Sequence, residues 1–356
     1  DYKRDNLNFK STFKPIKQIT IDVNARYSNT VVRGSGANSL NDSVSTSGSA
    51  GRLKHSVQYS PIPLSNSASE SDLEEDYGDN APPLQSVVDN DKFRIRKNWT
   101  VNGAVTWHII PNLNLKVEGG LDDFSQEDDA FYGMTTYYVG NTANIKNQPA
   151  STYSNAFRKT YRNTNTINYN FADVFADNRH KLDILLGEEY ILTHSNVLTS
   201  TAEGFPTFFT SEMAWKFMSS AEDIRQTNNF YNPDDKLLSF FGRVNYEYDG
   251  RYSFSATMRA DGSSKFSYGN QWGFFPSAAA AWTISNEEWM EGTSSWLNNL
   301  KLRYSYGTAG NNNIPTGVSA MFFAGTSATE TGWVYGSTTP WAPTTVGGQT
   351  VMANNH

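Results

Sequence analysis

An all-β fold, an antiparallel transmembrane β-barrel of which this chain supplies a partial wall of about ten strands with long extracellular loops, follows from three observations on the sequence. Apolar and polar residues alternate with period two through ten segments, which places one strand face in an apolar medium and the other in water. Several segments are near ten residues or longer, the length that lets a tilted strand cross a bilayer. The connections are short on one side and long on the other, which is the wiring of a membrane-spanning barrel. Composition agrees, since nine Trp, 19 Tyr and 21 Phe stand in a chain that is only 38% hydrophobic and 18% charged.

The strands predicted along the chain are 7–13, 19–27, 93–109, 113–121, 161–171, 182–192, 238–248, 252–260, 274–284 and 300–306. In the second, Ile19, Ile21, Val23, Ala25 and Tyr27 alternate with Thr20, Asp22, Asn24 and Arg26. Short turns fall at 14–18, 110–112, 176–179 and 249–251, whereas 28–92, 122–158 and 193–236 read as extracellular loops. The return 262–270 is short, and 285–298 reads as helical, with Asn286 as cap and Glu287 and Glu288 at the positive end. A three-residue loop at 249–251 sets Tyr248 opposite Tyr252, Tyr246 opposite Phe254 and Val244 opposite Ala256, so the apolar face stays continuous. Ile109 is expected opposite Leu113 in the same way. Trp107, Tyr246, Tyr248 and Tyr252 then gather near the short-turn rim as part of an aromatic girdle. Pro276 removes a ladder donor and reads as a bulge or a strand start. On the face opposite the aromatics lie Arg243, Glu247, Arg259 and Asp261, the expected lumen wall.

Other chemistries are poorly supported. No window holds 18 consecutive apolar residues, so no membrane-spanning helix is expected. The net charge of -7 and the lack of any long Lys/Arg run argue against nucleic acid as a partner. With no cysteine, thiol chemistry and disulfides are excluded, and the histidines at 55, 108, 180, 194 and 356 show no metal-binding spacing. Phosphate-loop, dinucleotide and nucleophile-elbow motifs are missing, so no catalytic or metal site is assigned and the chain does not read as an enzyme. Calcium is the one cofactor that two acidic stretches could hold, 65–92 and the cluster Asp122, Asp123, Glu127, Asp128 and Asp129, though neither has EF-hand spacing. A short amphipathic helix is expected within 211–223. Ligand or partner contacts are expected from rigid aromatics on the loops: Tyr132, Tyr137, Tyr138, Phe208, Phe209, Trp215, Phe230 and Tyr231. The first residues show no signal peptide, and both ends read as those of an internal piece of a longer protein. The same alternation also fits a surface-exposed or secreted β-rich adhesin or glycan-binding module, with the apolar faces closed inside a sandwich.

The last third carries a resemblance. R-A-D-G-S-S-K-F at 259–266, G-F-F-P-S at 273–277, and L-K-L-R-Y-S-Y-G at 300–307 followed by Gly310 and Asn311, stand in order and at similar spacing. With HKLDILLGEEY at 180–190, they resemble the SusC/RagA family of TonB-dependent outer-membrane transporters. The resemblance implies residence in the bacterial cell outer membrane, lipid around the barrel and uptake of glycan oligosaccharides or peptides. It also implies a SusD-like surface lipoprotein as lid, and energy from TonB delivered through an N-terminal plug region that this chain lacks. Residues 1–356 would then form part of the receptor barrel domain.

Overall fold

The computed structural model describes residues 1–34, 89–171, 179–229 and 233–314 apart from 135, 137, 140–142, 144, 146, 267 and 294, together with short strand segments between 323 and 350. In chain order the elements are β1 (Tyr2–Ile16), β2 (Ile19–Arg33), β3 (Asn90–Ile110), β4 (Leu113–Tyr132), β5 (Ala150–Asn170) and β6 (His180–Glu203). They continue with α1 (Ser211–Lys216), β7 (Asp223–Asn229), β8 (Asp235–Tyr248), β9 (Tyr252–Ser263), β10 (Trp272–Thr283) and β11 (Lys301–Gly307). One antiparallel sheet of 11 strands runs β1-β2-β3-β4-β5-β6-β8-β9-β10-β11, with β7 beside β6. The ten strands of the main path are the ten legible in the sequence. The short pieces beyond residue 323 pair only among themselves.

Period two explains the wall. A single row of outward residues crosses it through Phe13, Ile21, Val105, Val117, Asn165, Glu188, Phe240, Ala260 and Phe274. The strands begin lower and lower relative to this row from β1 to β10, which is the stagger that tilts strands in a closed barrel. Turn-to-turn bonds tie the near ends into one rim: His108 N–H donates to Gln18 O (2.7 Å), Asn170 N–H to Asn112 O (2.9 Å) and Asp249 N–H to Arg179 O (2.7 Å).

At the 249–251 connection, Asp249 (φ 53°) and Gly250 (φ 65°) both take left-handed backbone. Tyr248 faces Tyr252, Tyr246 faces Phe254 and Val244 faces Ala256, so Arg243, Asn245, Thr257 and Arg259 share the opposite face. The β3–β4 turn differs from expectation, because the register shifts between His108 and Ile110 and sets Ile110, not Ile109, opposite Leu113. Pro276 sits mid-strand with unbroken pairing to β9. It is tolerated because β11 pairing ends at Ser277 and Gly307, so β10 is an edge there; Thr308 N–H closes it on Pro276 O at 3.0 Å.

Three loop assignments shrink. Residues 122–132 and 150–158 are paired strand, leaving 133–149 as the connection. Residues 193–203, 223–229 and 235–236 are strand too, and β2 and β3 reach Arg33 and Asn90. Beyond the apolar band both faces meet water, so strand there loses its apolar alternation and reads as loop. The connection after β10 is not an α-helix but two 3-10 turns, Ile284–Asn286 and Glu288–Thr293. Residues 35–88 and the turn residues Asp177 and Asn178 lie outside the described residues.

Buried hydrophobic side chains collect mainly where β3–β6 extend past the band. The connection 133–149 packs on the lumen side through Ala130, Tyr132, Tyr138, Val139, Ala143 and Ala150. The segment 204–221 packs on the opposite side through Phe131, Ala202, Phe205 and Ala214, with Phe209, Trp215 and Met218 against them. The rest of the wall is a single layer.

Candidate functional site

Strand alternation places two surfaces of interest, the lumen face of β6–β10 and the raised extension of β3–β7. On the lumen face, Arg259 donates to Asp261 Oδ1 (2.7 Å), Glu189 Oε2 (3.0 Å) and Ser239 Oγ (2.9 Å), and its guanidinium lies 5.5 Å from the Phe241 ring centre. The ring fits because Gly187 stands opposite Phe241, where a Cβ would overlap it. Glu247 accepts from Lys181 Nζ at 2.8 Å. Asn245 bridges Ser255 (2.7 Å) and Asp183 (3.4 Å). Glu247, Arg259 and Asp261 thus brace neighbouring strands, and their charges are largely spent on the wall. Arg243 differs. It is exposed between Leu185 and Thr257, with no ion pair to another described residue.

The extension sorts the loop aromatics. Tyr132 is 2% exposed, its ring 4.9 Å from that of Tyr138, and the Tyr138 hydroxyl donates to Glu203 Oε1 at 2.7 Å. Both tyrosines are interior, packed into the extension instead of presented to solvent as expected. Thr210 caps α1 by accepting from Met213 N–H at 3.4 Å, and Ser211 ties the helix to Asp91 Oδ2 at 2.8 Å. Asp91 and Phe93 are on the outward face of β3, and Trp215 stacks on Phe93 with ring centres 6.3 Å apart. Trp215 and half-buried Phe209 therefore pack the outside of the wall, away from the lumen. Phe208 alone among the described contact candidates is freely presented, at 72% exposure. Tyr137, Phe230 and Tyr231 lie outside the described residues.

The cluster at 122–129 is split by the same alternation. Asp122 and Asp128 face the lumen, where they meet Thr100 (2.9 Å) and Arg94, while Asp123 faces outward to Lys159 Nζ at 3.6 Å. No group of three His, Cys, Asp or Glu able to hold a metal occurs among the described residues; most of 65–92 is outside them. Above the apolar band, burial first and then Glu127 and Asp128 push Asp129 up to about 6.

Glu287 is a site that sequence reading missed, because N-E-E-W resembles a helix start. Its carboxylate accepts from Tyr252 Oη (2.7 Å), Trp282 Nε1 (2.8 Å) and Arg251 Nη1 (3.3 Å), and hydrogen bonds from Trp282 and Tyr252 hold it below the usual glutamate range. Asn286 donates to Gly250 O at 3.0 Å instead of capping a helix.

No family model matches the chain. Among curated proteins it is 30% identical over 234 residues to TonB-dependent receptor P3 of Formosa agariphila, which is 65% of this chain and 22% of that protein. It is 46% identical over 84 residues to TonB-dependent receptor SusC of Bacteroides thetaiotaomicron, 24% of this chain and 8% of that one. The RagAB peptide transporter has a similar fold, with TM-score 0.70 at 20% identity over 97% of this chain and 36% of that chain. The RagAB peptide importer in its 'closed-closed' state gives 0.71 at 21% identity. The chain spans about a fifth of the length of P3 and about a third of the RagAB chain. Its curated homologues are receptors, not enzymes, and its fold is that of a TonB-dependent barrel wall.

Proposed function

We propose, from the premise that this chain is a segment of a TonB-dependent receptor resembling SusC and RagA, that it walls an outer-membrane importer. Its cargo would be oligosaccharides or peptides. A SusD-like lipoprotein would cover its outer end, and TonB would act through a region N-terminal to Asp1. The observation that carries this reading is the two-faced wall. Trp99, Val105, Trp107, Leu186, Val244, Phe254 and Met258 are exposed on one side, opposite a face of paired charges and amides. Exposed apolar groups in a band bounded by Trp and Tyr suit lipid, and a closed soluble sandwich would bury them.

The raised extension supports the lid reading, because a scaffold packed on both faces can hold Phe208 and its neighbours rigidly for a protein partner. The test uses the full-length protein in its own host. An importer fractionates with the outer membrane, needs detergent, and runs faster unheated than heated. A labelled oligosaccharide and a labelled peptide, offered separately, then report which cargo disappears from the cell interior when the gene is deleted. Release into buffer without detergent would favour the adhesin alternative and overturn the importer.

A further inference from the structure

We infer that the lumen wall of β2–β5 carries a recognition site for acidic oligosaccharides, whose carboxylate or sulfate groups meet arginines that the wall leaves unneutralised. This rests on the importer reading, because it names the class of cargo that the same lumen would pass. On this face Arg26 lies on β2, Arg96 on β3, and Arg158 and Arg162 on β5, in neighbouring rows of the sheet. The first three form no ion pair with another described residue. Arg162 approaches Glu189 only at 3.8 Å, and the other oxygen of that carboxylate is engaged by Arg259 at 3.0 Å. With a rise near 3.3 Å per residue and a tilt of roughly 40°, Arg162 and Arg158 stand roughly 20 and 30 Å above the short-turn rim, on the way in from the outer mouth.

Neutral groups hold two of these cations in place. Arg96 donates to Gln126 Oε1 from both Nε (2.9 Å) and Nη2 (2.7 Å). Arg96 and Arg158 also share one ring, their guanidiniums 5.8 and 5.5 Å from the centre of Phe124. A ring quadrupole and an amide oxygen orient a guanidinium without cancelling its charge, so an arriving anion finds it pre-positioned. Other lumen cations are matched, as in Lys116 with Glu118 (2.6 Å), Lys181 with Glu247 (2.8 Å) and Arg94 with Asp128. The unmatched arginines are a local departure in a chain of net charge -7. Uncompensated charge on a low-dielectric wall draws in solutes of the opposite sign.

The surface beside them suits a sugar. A hollow of about 560 Å³ opens at Arg158 and Arg162, lined also by Thr100, Asn102, Asp122 and Thr160. Gly120 makes room for the Asn102 amide, whose Oδ1 would lie 2.6 Å from a Cβ there. Hydroxyls, an amide and one carboxylate can pair with sugar hydroxyls, while a guanidinium fork takes the acidic group. An acidic peptide fits less well. Every strand here is paired on both sides, leaving no edge for a peptide to extend, and Asp122 repels its side chains.

Calorimetry on the full-length protein in detergent tests this with two probes, oligogalacturonate for carboxylate and κ-carrageenan oligosaccharides for sulfate. Each is run beside its neutral form, carboxyl-reduced or desulfated. At least one acidic probe should bind more tightly than its neutral form, and less so at high salt. The Arg96→Gln, Arg158→Gln double variant should weaken that probe by about tenfold while leaving the neutral form unchanged. Heat-modifiability confirms folding, and Arg158→Gln alone, which removes no hydrogen bond to a described residue, serves if the double variant does not fold. Equal binding of acidic and neutral forms overturns the proposal, as does a variant that binds like the parent. Hexaglutamate binding as tightly as the acidic oligosaccharide overturns it in favour of a peptide. Fractionation reads the barrel assignment separately: loss from the outer membrane overturns the importer reading, and an outer-membrane protein indifferent to solute charge overturns only this one.

Discussion

Glu287, 8% exposed, gathers three donors from two strands and a turn. Removing it strands those donors, so Glu287→Ala should lower the unfolding temperature more than Glu287→Gln, whose amide oxygen still accepts. Arg243 and Arg259 separate wall from cargo. Arg259→Ala leaves Glu189 and Asp261 facing each other and should cost about 1–2 kcal/mol in denaturant unfolding, because the site is only partly screened from water. Arg243→Ala should leave stability unchanged, and any loss of uptake it causes reports contact with an anionic solute. Asp129 gives a pH test. Its acid form is favoured in the fold, so the charged form penalises folding above about 6, and the penalty is absent below 3.8, its ordinary value. Asp129→Asn should therefore stabilise the protein at pH 7 by about 1 kcal/mol, discounted for solvent screening, and confer nothing near pH 3.5.

Between girdles the strands were legible in the sequence almost to the residue, because lipid on one side and water on the other impose period two. Above them the signal fades: Asp122, Asp123, Ser125, Gln126, Glu127 and Asp128 look like a solvated loop, yet they pair on both sides with β3 and β5. Several of the expected contact aromatics turn inward for a related reason. Tyr132, Tyr138 and Trp215 have the composition of a binding loop, but the extension is a small folded layer that uses them as its own core. Nothing local in the sequence announces that Phe131 and Phe205 meet on one face while Tyr132 and Val139 meet on the other. Phe205, fully buried, should cost about 3–5 kcal/mol as Phe205→Ala, seen as faster amide exchange across 200–222 with exchange in β8–β9 unchanged. Gly187→Ala should displace Phe241 from Arg259 and destabilise by about 1–3 kcal/mol, read as a lower denaturation midpoint.

For the whole molecule, the blocks at 259–266, 273–277 and 300–307 fall on β9–β11 and their turns, where Arg259 and Asp261 pair within the wall. The aromatics expected to make contacts, between 132 and 138 and between 208 and 231, lie where no such blocks occur, so architecture could be read from residues and cargo could not. The wall is also uneven in height. Counted from the same rim, β4 runs 20 residues and β9 runs 12, a difference of about 20 Å along the membrane normal. In the importer proposed above, the stretch of the outer mouth that this wall forms would be a ramp instead of a level rim, tall along β3–β6 and low along β8–β10. A bulky solute drifting in along the surface would be turned back on one side and admitted on the other. Entry would have a compass direction before any binding group is reached.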